Sequence, residues 1–600
     1  MKLTPAFNKQ PFVPVRGKEN ECVSGRESIG RQLDEALHRK EALQRKEGLQ
    51  RKEGRKQIVV VETYQGVYMD DLRSVLNDLI QPGILIDTAP LFRDEAEIRT
   101  ITRPDVTDDR VFGYLTRLNM EELMDPGKVE DAQREIERFR GSPVLIFGYG
   151  ASLVADNPDL LIYADMARRE IQQRMRRNEV NNLGIRNMEE DTELQYKRGF
   201  FVDWRICDRL KKRTMDRWDY VLDTNDPRHP KLATGEAVRA GLRQAAQRPF
   251  SVVPFFDPGP WGGQWMKERF VLEEEVENFA WCFNCIPEEN SLLLGFGEIR
   301  FEIPSINLVF YQPGELLGDP VHARFGDEFP IRFDFLDTMA GGNLSLQVHP
   351  LTEYIQEKFG MHYTQDESYY LMDAEPDGSV FLGLKEGIDP EEMAGKLKKA
   401  EQEGIPFDAE KYIENFPARK HDHFLIPAGT VHCSGKNGMV LEISATPYIF
   451  TFKMYDWGRT NLDGKPRPLH VDHGVNNIRW ERTTEWTRRN LVGRVEKIAE
   501  GDGWVEEKTG LHEREFIETR RHWFTGRVIH HTGGGVNVMN LVEGEEAILE
   551  SPSGDFEPFI VHYAETFILP ASVGAFTIRP HGPSEGRKCA TVKAFVRTNP

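Results

Sequence analysis

Cysteine is scarce in this sequence: six among 600 residues, at Cys22, Cys207, Cys282, Cys285, Cys433 and Cys589. Thiols so scattered build no disulfide framework and read as reduced. Cys282 and Cys285 form one C-x-x-C, but structural zinc requires a second ligand pair at comparable spacing, and none follows. Long apolar runs are also lacking. No stretch approaches the roughly 18 residues that span a bilayer, and the N-terminus does not begin with the charged-then-apolar order of a signal peptide, so a cytoplasmic protein without a membrane partner is expected. Positive charge is in deficit, with a formal net charge of -20. Nucleic acid is therefore not the expected partner, because phosphate backbones are bound by concentrated Lys and Arg. A local basic pocket for a small anion stays open.

The composition, 39% hydrophobic and 29% charged, is that of an ordinary globular chain, and the length calls for three or four folded units. Residues 39–56 repeat a six-residue unit, RKEALQ, RKEGLQ, RKEGRK, whose apolar positions are too sparse for a core. Residues 1–56 are accordingly expected to be a charged low-complexity tail or fraying helix. From Gln57 the texture changes. Buried-strand runs at Ile58–Val61, Val144–Phe147 and Leu161–Asp165 alternate with helical segments, one of them the arginine-rich stretch Arg168–Arg177, which predicts an α/β domain over 57–250 with a mostly parallel sheet.

That domain resembles the uridine-kinase-like branch of P-loop kinases, in which a strand aspartate is followed by an arginine-rich helix. The phosphate loop is missing, however. Where G-x-x-x-x-G-K-[ST] would wrap phosphates with backbone N–H groups stand Glu62, Thr63, Tyr64, Gln65 and Gly66, with no lysine to reach a phosphate. A structural or interaction role is expected in place of phosphotransfer.

Pro254 to Gly263, PFFDPGPWGG, marks a boundary. Beyond it short alternating runs separated by Gly, Pro and Asp predict two cupin or jelly-roll β domains: 251–475, with a helical insertion at about 385–420, and 476–600. In Leu346-Gln347-Val348-His349 the two polar side chains lie two residues apart and share one face of a strand. Glu367 precedes a further strand, and the turn IPAGTVH delivers His432. Imidazole and carboxylate suit zinc and similar divalent ions, while a buried histidine satisfied by ordinary hydrogen bonds is the alternative at each position. His421 and His423 are expected at the surface. Trp261, Trp265 and Trp457 are expected as core or loop-packing aromatics in preference to sugar platforms.

Several ordered motifs from Trp261 to about His473 resemble the class I (cupin-type) mannose-6-phosphate isomerase family: WGG at Trp261–Gly263, FDFLDTMAGGNLSLQVHP, ESYYLMDAEPDGSVFLGL, IPAGTVHCSGKNGMVLEI, and YDWGR with RPLH. The stretch 476–600 resembles it more loosely. The resemblance implies interconversion of mannose 6-phosphate and fructose 6-phosphate, with zinc or another divalent metal, one per chain. It carries the ligand roles onto Gln347, His349, Glu367 and His432, all unchanged in type, catalytic roles onto Arg459 and Lys453, and substrate contacts onto Trp261, Arg332, Gln365 and Lys436. The chain departs from the family at Gln365, where the family places lysine, and at Lys453, where it places arginine; the two cations are not interchangeable at a bidentate anion site.

Overall fold

The structure, a computed structural model, describes residues 7–46, 56–445, 450–460, 467–510 and 515–598. The chain divides into two compact units, one of Phe12–Gln244 with Ser291–Tyr311, the other of Met1–Pro11, Ala245–Asn290 and Gln312–Pro600.

The first unit is built on a seven-stranded sheet ordered Cys22–Ser24, Lys231–Thr234, Tyr220–Asp223, Leu160–Asp165, Ile58–Thr63, Val144–Gly148, Ile84–Asp87. The last five of these run parallel. Parallel strands are covered on both faces, so their residues are apolar without alternation: Val59, Val60, Val61, Leu145 and Ile146 are all fully buried. The turn after Val144–Gly148 is organised by an acidic residue near the end of the neighbouring strand Ile58–Thr63. The Glu62 carboxylate accepts the backbone N–H groups of Gly150 and Ser152, each at 2.8 Å, and burial pushes its pKa up to about 7. The arginines of the helix Arg168–Arg176 also serve the fold. Arg168 pairs with Asp208 at 2.5 Å, and Arg174 donates to the carbonyls of Gly66 and Thr224.

Two boundaries differ from expectation. Residues 12–46 are not a tail: Cys22–Ser24 pairs antiparallel with Lys231–Thr234 as an edge of the sheet, and a helix spans Arg26–Lys46. That helix buries Ile29, Leu33, Ala36 and Leu37, whose spacing of four, three and one residues is a helical stripe lying ahead of the charged repeat. The later part of the repeat, 47–55, lies outside the described residues. Residues 291–311, expected in the first β domain, instead form a hairpin, Ser291–Phe296 with Ile299–Pro304, and a short helix in the first unit; the hairpin pairs parallel with Phe12–Pro14.

The second unit contains two antiparallel β sandwiches. One has a six-stranded sheet, ordered His423–Ile426, Glu367–Ala374, Gly438–Ser444, Arg332–Asp337, Trp281–Cys285, Phe255–Asp257. Its five-stranded sheet is ordered Ile413–Pro417, Ser379–Leu384, His432–Ser434, Leu346–Val348, Phe452–Tyr455. The helices Pro390–Glu403 and Ala409–Tyr412 interrupt it, and Asp389 caps the first of them by accepting from Glu391 and Glu392 N–H. The other sandwich pairs a six-stranded sheet, running from Glu496–Gly501 to Thr566–Leu569, with a four-stranded one made of Val528–His531, Ala575–Pro580, Glu546–Glu550 and Phe559–His562. Phe524, Met539, Leu541 and Phe567 from the first sheet meet Val528, Leu549, Val561 and Phe576 from the second in a common core.

Candidate metal centre

In the first sandwich the five-stranded sheet supplies Gln347 and His432, which face each other on adjacent antiparallel strands, and the six-stranded sheet supplies Glu367 at the start of its strand. His349 follows the strand Leu346–Val348, and the apolar Leu346 and Val348 pack to the opposite side, as alternation dictates. The turn that delivers His432 needs a glycine. Gly429 sits at φ +86°, its N–H donates to the His349 carbonyl, and a Cβ there would lie 2.8–2.9 Å from Arg479, Asn477 and Leu351.

The four side chains converge. His349 Nε2 lies 3.1 Å from Glu367 Oε2, His432 Nε2 lies 2.8 Å from Glu367 Oε1, and the Gln347 amide lies 3.2 Å from His432 Nε2. One donor atom each from His349, Glu367 and His432 fits within 4.8 Å, and all three residues are fully buried. The far nitrogens are occupied: His349 Nδ1 lies 3.1 Å from the Phe450 carbonyl and His432 Nδ1 lies 2.9 Å from the Thr430 carbonyl. A carbonyl accepts only, so each Nδ1 carries a proton, and in the neutral imidazole each Nε2 then turns its lone pair toward the carboxylate. Three acceptor atoms facing one another in a dry interior repel unless a cation joins them, and His349 Nε2 and Glu367 Oε1 make no hydrogen bond of good geometry. The donor set therefore fits a divalent metal such as zinc.

The electrostatics differ between the two histidines. Burial works to raise the Glu367 pKa, but the two imidazoles outweigh it and hold the carboxyl well below the usual range. At His432 burial wins and lowers the pKa, favouring the neutral ligand form; at His349 burial is outweighed by Glu367 and the pKa rises. Gln365 orients the site in the place where the related family has lysine. Its amide donates to Glu367 Oε2 at 3.1 Å while its oxygen accepts the Phe450 N–H at 3.1 Å, the residue whose carbonyl holds His349.

The other residues singled out in the sequence scatter. Lys453 is the cross-strand partner of Gln347, so the two share a face. Arg459 is engaged by Asp456 at 2.5 Å and by the Asn343 carbonyl at 2.6 Å, and Lys436 forms a surface ion pair with Asp377 at 3.1 Å. Trp261 is buried with its ring against Trp281, centroids 4.7 Å apart. His423 is not at the surface as expected. It is buried because the second sandwich covers its strand, with Arg521 reaching the His421 carbonyl at 2.9 Å.

Sequence reasoning named Arg332 and Glu367 but missed the row of polar side chains to which they belong. Pairing of Arg332 with Ser444 and of Ser444 with Glu367, then of Asp334 with Glu442 and of Glu442 with Tyr369, places six polar residues on one face of three strands, beside the centre. The signal was there as alternation: Arg332 and Asp334, Glu367 and Tyr369, Glu442 and Ser444 are each two apart. Arg332 Nε and Nη1, Asp334 Oδ1, the Tyr369 hydroxyl and Ser444 Oγ make no hydrogen bond. Burial pushes the Asp334 pKa up to about 7, and burial together with the neighbouring Asp334 and Glu367 raises Glu442 well above its ordinary value.

This geometry defines a candidate metal-binding site in an antiparallel β sandwich. Comparison with known proteins then adds the relatives. The Bacillus subtilis (strain 168) protein named Probable mannose-6-phosphate isomerase GmuF is 24% identical over 336 residues, 55% of this chain and 96% of its own. Mannose-6-phosphate isomerase ManA of the same organism is 29% identical over 153 residues, 26% of this chain and 45% of its own. Mannose-6-phosphate isomerase of Streptococcus mutans is 25% identical over 218 residues, 36% of this chain and 63% of its own. Among solved structures, mannose 6-phosphate isomerase from Bacillus subtilis aligns with a TM-score of 0.47 at 20% identity, over 58% of this chain and 99% of that one. Residues 39–247 match a family described as a domain of unknown function, DUF8485.

Proposed function

We propose that the chain is a metal-dependent aldose–ketose isomerase that interconverts mannose 6-phosphate and fructose 6-phosphate. The observation that carries this reading is the convergence of two Nδ1-anchored histidines on a buried carboxylate; the names of the relatives supply mannose 6-phosphate, and the motif resemblance supplies its ketose partner. A divalent ion, one per chain and zinc by its donor set, would be held by His349, Glu367, His432 and Gln347 and would stabilise the negative charge that develops on the sugar oxygens. The protein's own groups do the rest. Isomerisation moves a proton between adjacent carbons, and Glu442 and Asp334, buried carboxyls with raised proton affinity, are suited to hold and return it. The open edge of Arg332, the Tyr369 hydroxyl and Ser444 Oγ offer hydrogen bonds to sugar hydroxyls. Lys453, on the Gln347 face, is the cation we assign to the phosphate end. We read the parallel-sheet unit as non-phosphotransferring, since the strand Ile58–Thr63 is followed by Tyr64, Gln65, Gly66, Val67 and Tyr68, with no lysine to reach a phosphate.

The test is conversion of mannose 6-phosphate to fructose 6-phosphate by the metal-loaded chain. Lack of turnover on a panel of hexose phosphates, with zinc, manganese or cobalt, contradicts the proposal. A second reading, sugar-phosphate binding without turnover, is favoured by the commitment of Arg459 to Asp456 and of Lys436 to Asp377 and by the neutral Gln365. Activity that emerges only in Gln365→Lys supports this second reading.

A further inference from the structure

The second sandwich carries a polar cluster of its own. On the inner face of its six-stranded sheet Glu506 lies opposite His522, His522 opposite Thr591, and Arg520 opposite Lys593; Met539, part of the apolar core, is the partner of Lys593 on the other side. From the four-stranded sheet His530 turns inward, its ring centroid 4.3 Å from that of His522 and 5.3 Å from that of Phe576. Glu506 holds His522 Nε2 at 2.9 Å and Arg520 at 2.9 Å.

Four groups in this interior are unused. His522 Nδ1, His530 Nε2 and Thr591 Oγ1 are buried without a hydrogen-bond partner. Lys593 is buried and makes no hydrogen bond or ion pair among the described residues; its nearest aromatic contact is Phe595, at 5.3 Å. Glu506 accepts the proton on His522 Nε2, so the Nδ1 lone pair faces the interior. A buried amine with no acceptor, beside a carboxylate-oriented imidazole with no donor, is the arrangement that activates lysine toward carbonyl carbon. A second metal centre suits the cluster poorly, because Lys593 and Arg520 surround it with positive charge.

We propose that Lys593 is an imine-forming nucleophile for small hydroxylated aldehydes or ketones, the open-chain form of short sugars being the class that fits. The hydroxyls explain the class: His522 Nδ1, His530 Nε2 and Thr591 Oγ1 are hydrogen-bond partners for them. The amine lone pair attacks the carbonyl carbon and forms the C–N bond. The amine sheds its protons, the first to His522 Nδ1, and these leave with the carbonyl oxygen as water, giving the imine with no oxidant or reductant consumed. Burial, reinforced by Arg520 and only partly offset by Glu506, lowers the Lys593 pKa to about 8, which leaves a usable fraction of free amine at neutral pH. At the edge of the cluster Arg520 and Glu506 keep 30% and 16% of their side-chain surface open.

The test treats the full chain with glycolaldehyde and cyanoborohydride at pH 7 and maps reduced adducts by peptide mass spectrometry. Lys593 is expected to be trapped at least about tenfold faster than the more exposed Lys508, and His522→Gln to slow Lys593 by at least about tenfold while leaving Lys508 unchanged. Trapping of Lys593 no faster than Lys508 overturns the proposal, as does an unaltered rate in a folded His522→Gln chain. Should that variant unfold, the ratio of the two lysines in the unsubstituted chain decides alone. The isomerase assay is independent of this experiment, so either reading can fail without the other.

Discussion

Gln365 shows how a single residue can take over a task from a different chemical class. It carries no charge to offer a substrate, but its amide ties Glu367 to the backbone at Phe450, and through that residue to His349. Partners of this kind fix the orientation of metal ligands. Gln365→Leu, of similar volume but without the amide, should weaken zinc affinity by about 10- to 100-fold while the fold survives. Competition with a chromophoric chelator measures this, and an unchanged affinity contradicts the positioning role. The proposed ligands were named through the motif resemblance, and the structure brings His349, Glu367 and His432 together. Arg332, Asp334 and Glu442 were not legible as a group. Their proximity arises from pairing between Arg332–Asp337 and Gly438–Ser444, strands about a hundred residues apart in the chain, and only register brings them beside Glu367.

Among the elements, the helix Arg26–Lys46 was hidden by its own sequence. Its charged repeat begins at Arg39, whereas the four apolar residues that dock it, Ile29, Leu33, Ala36 and Leu37, all precede that repeat. Leu33 is almost fully buried, so Leu33→Ala should cost about 2–5 kcal/mol, read as a lower denaturant midpoint of the first unit. A cost near zero contradicts the docked helix. The strand Ile58–Thr63 yields a pH prediction through Glu62. Its folded pKa of about 7 lies above the ordinary 4.5, so the fold favours the protonated form. The contribution is complete below pH 4.5 and is lost as pH rises through 7, by at most about 3 kcal/mol. Denaturation from pH 5 to 8 should show this decline in the first unit, and Glu62→Gln should flatten it; the same slope in both chains contradicts the assignment. Strand type was easier to read than strand membership. The unbroken apolar runs of the parallel sheet and the alternating runs of the sandwiches are local properties, while the hairpin 291–304 is assigned to its unit by pairing with Phe12–Pro14, which no local pattern reveals.

For the whole molecule the sequence order of textures, α/β first and β afterwards, was readable because each sheet type imposes its own hydrophobic period. The two units are each discontinuous in sequence, which composition does not record. The account rests on one claim about the molecule, that a divalent ion held by Gln347, His349, Glu367 and His432 makes it an isomerase. The most direct measurement is metal stoichiometry and turnover of mannose 6-phosphate on one preparation, before chelation, after it, and after re-addition of zinc, beside a His432→Ala chain. The account predicts about one ion per chain, with activity lost and regained with the ion, and neither ion nor activity in the variant. Conversion that persists in the chelated chain, or a full complement of metal without turnover, would contradict it.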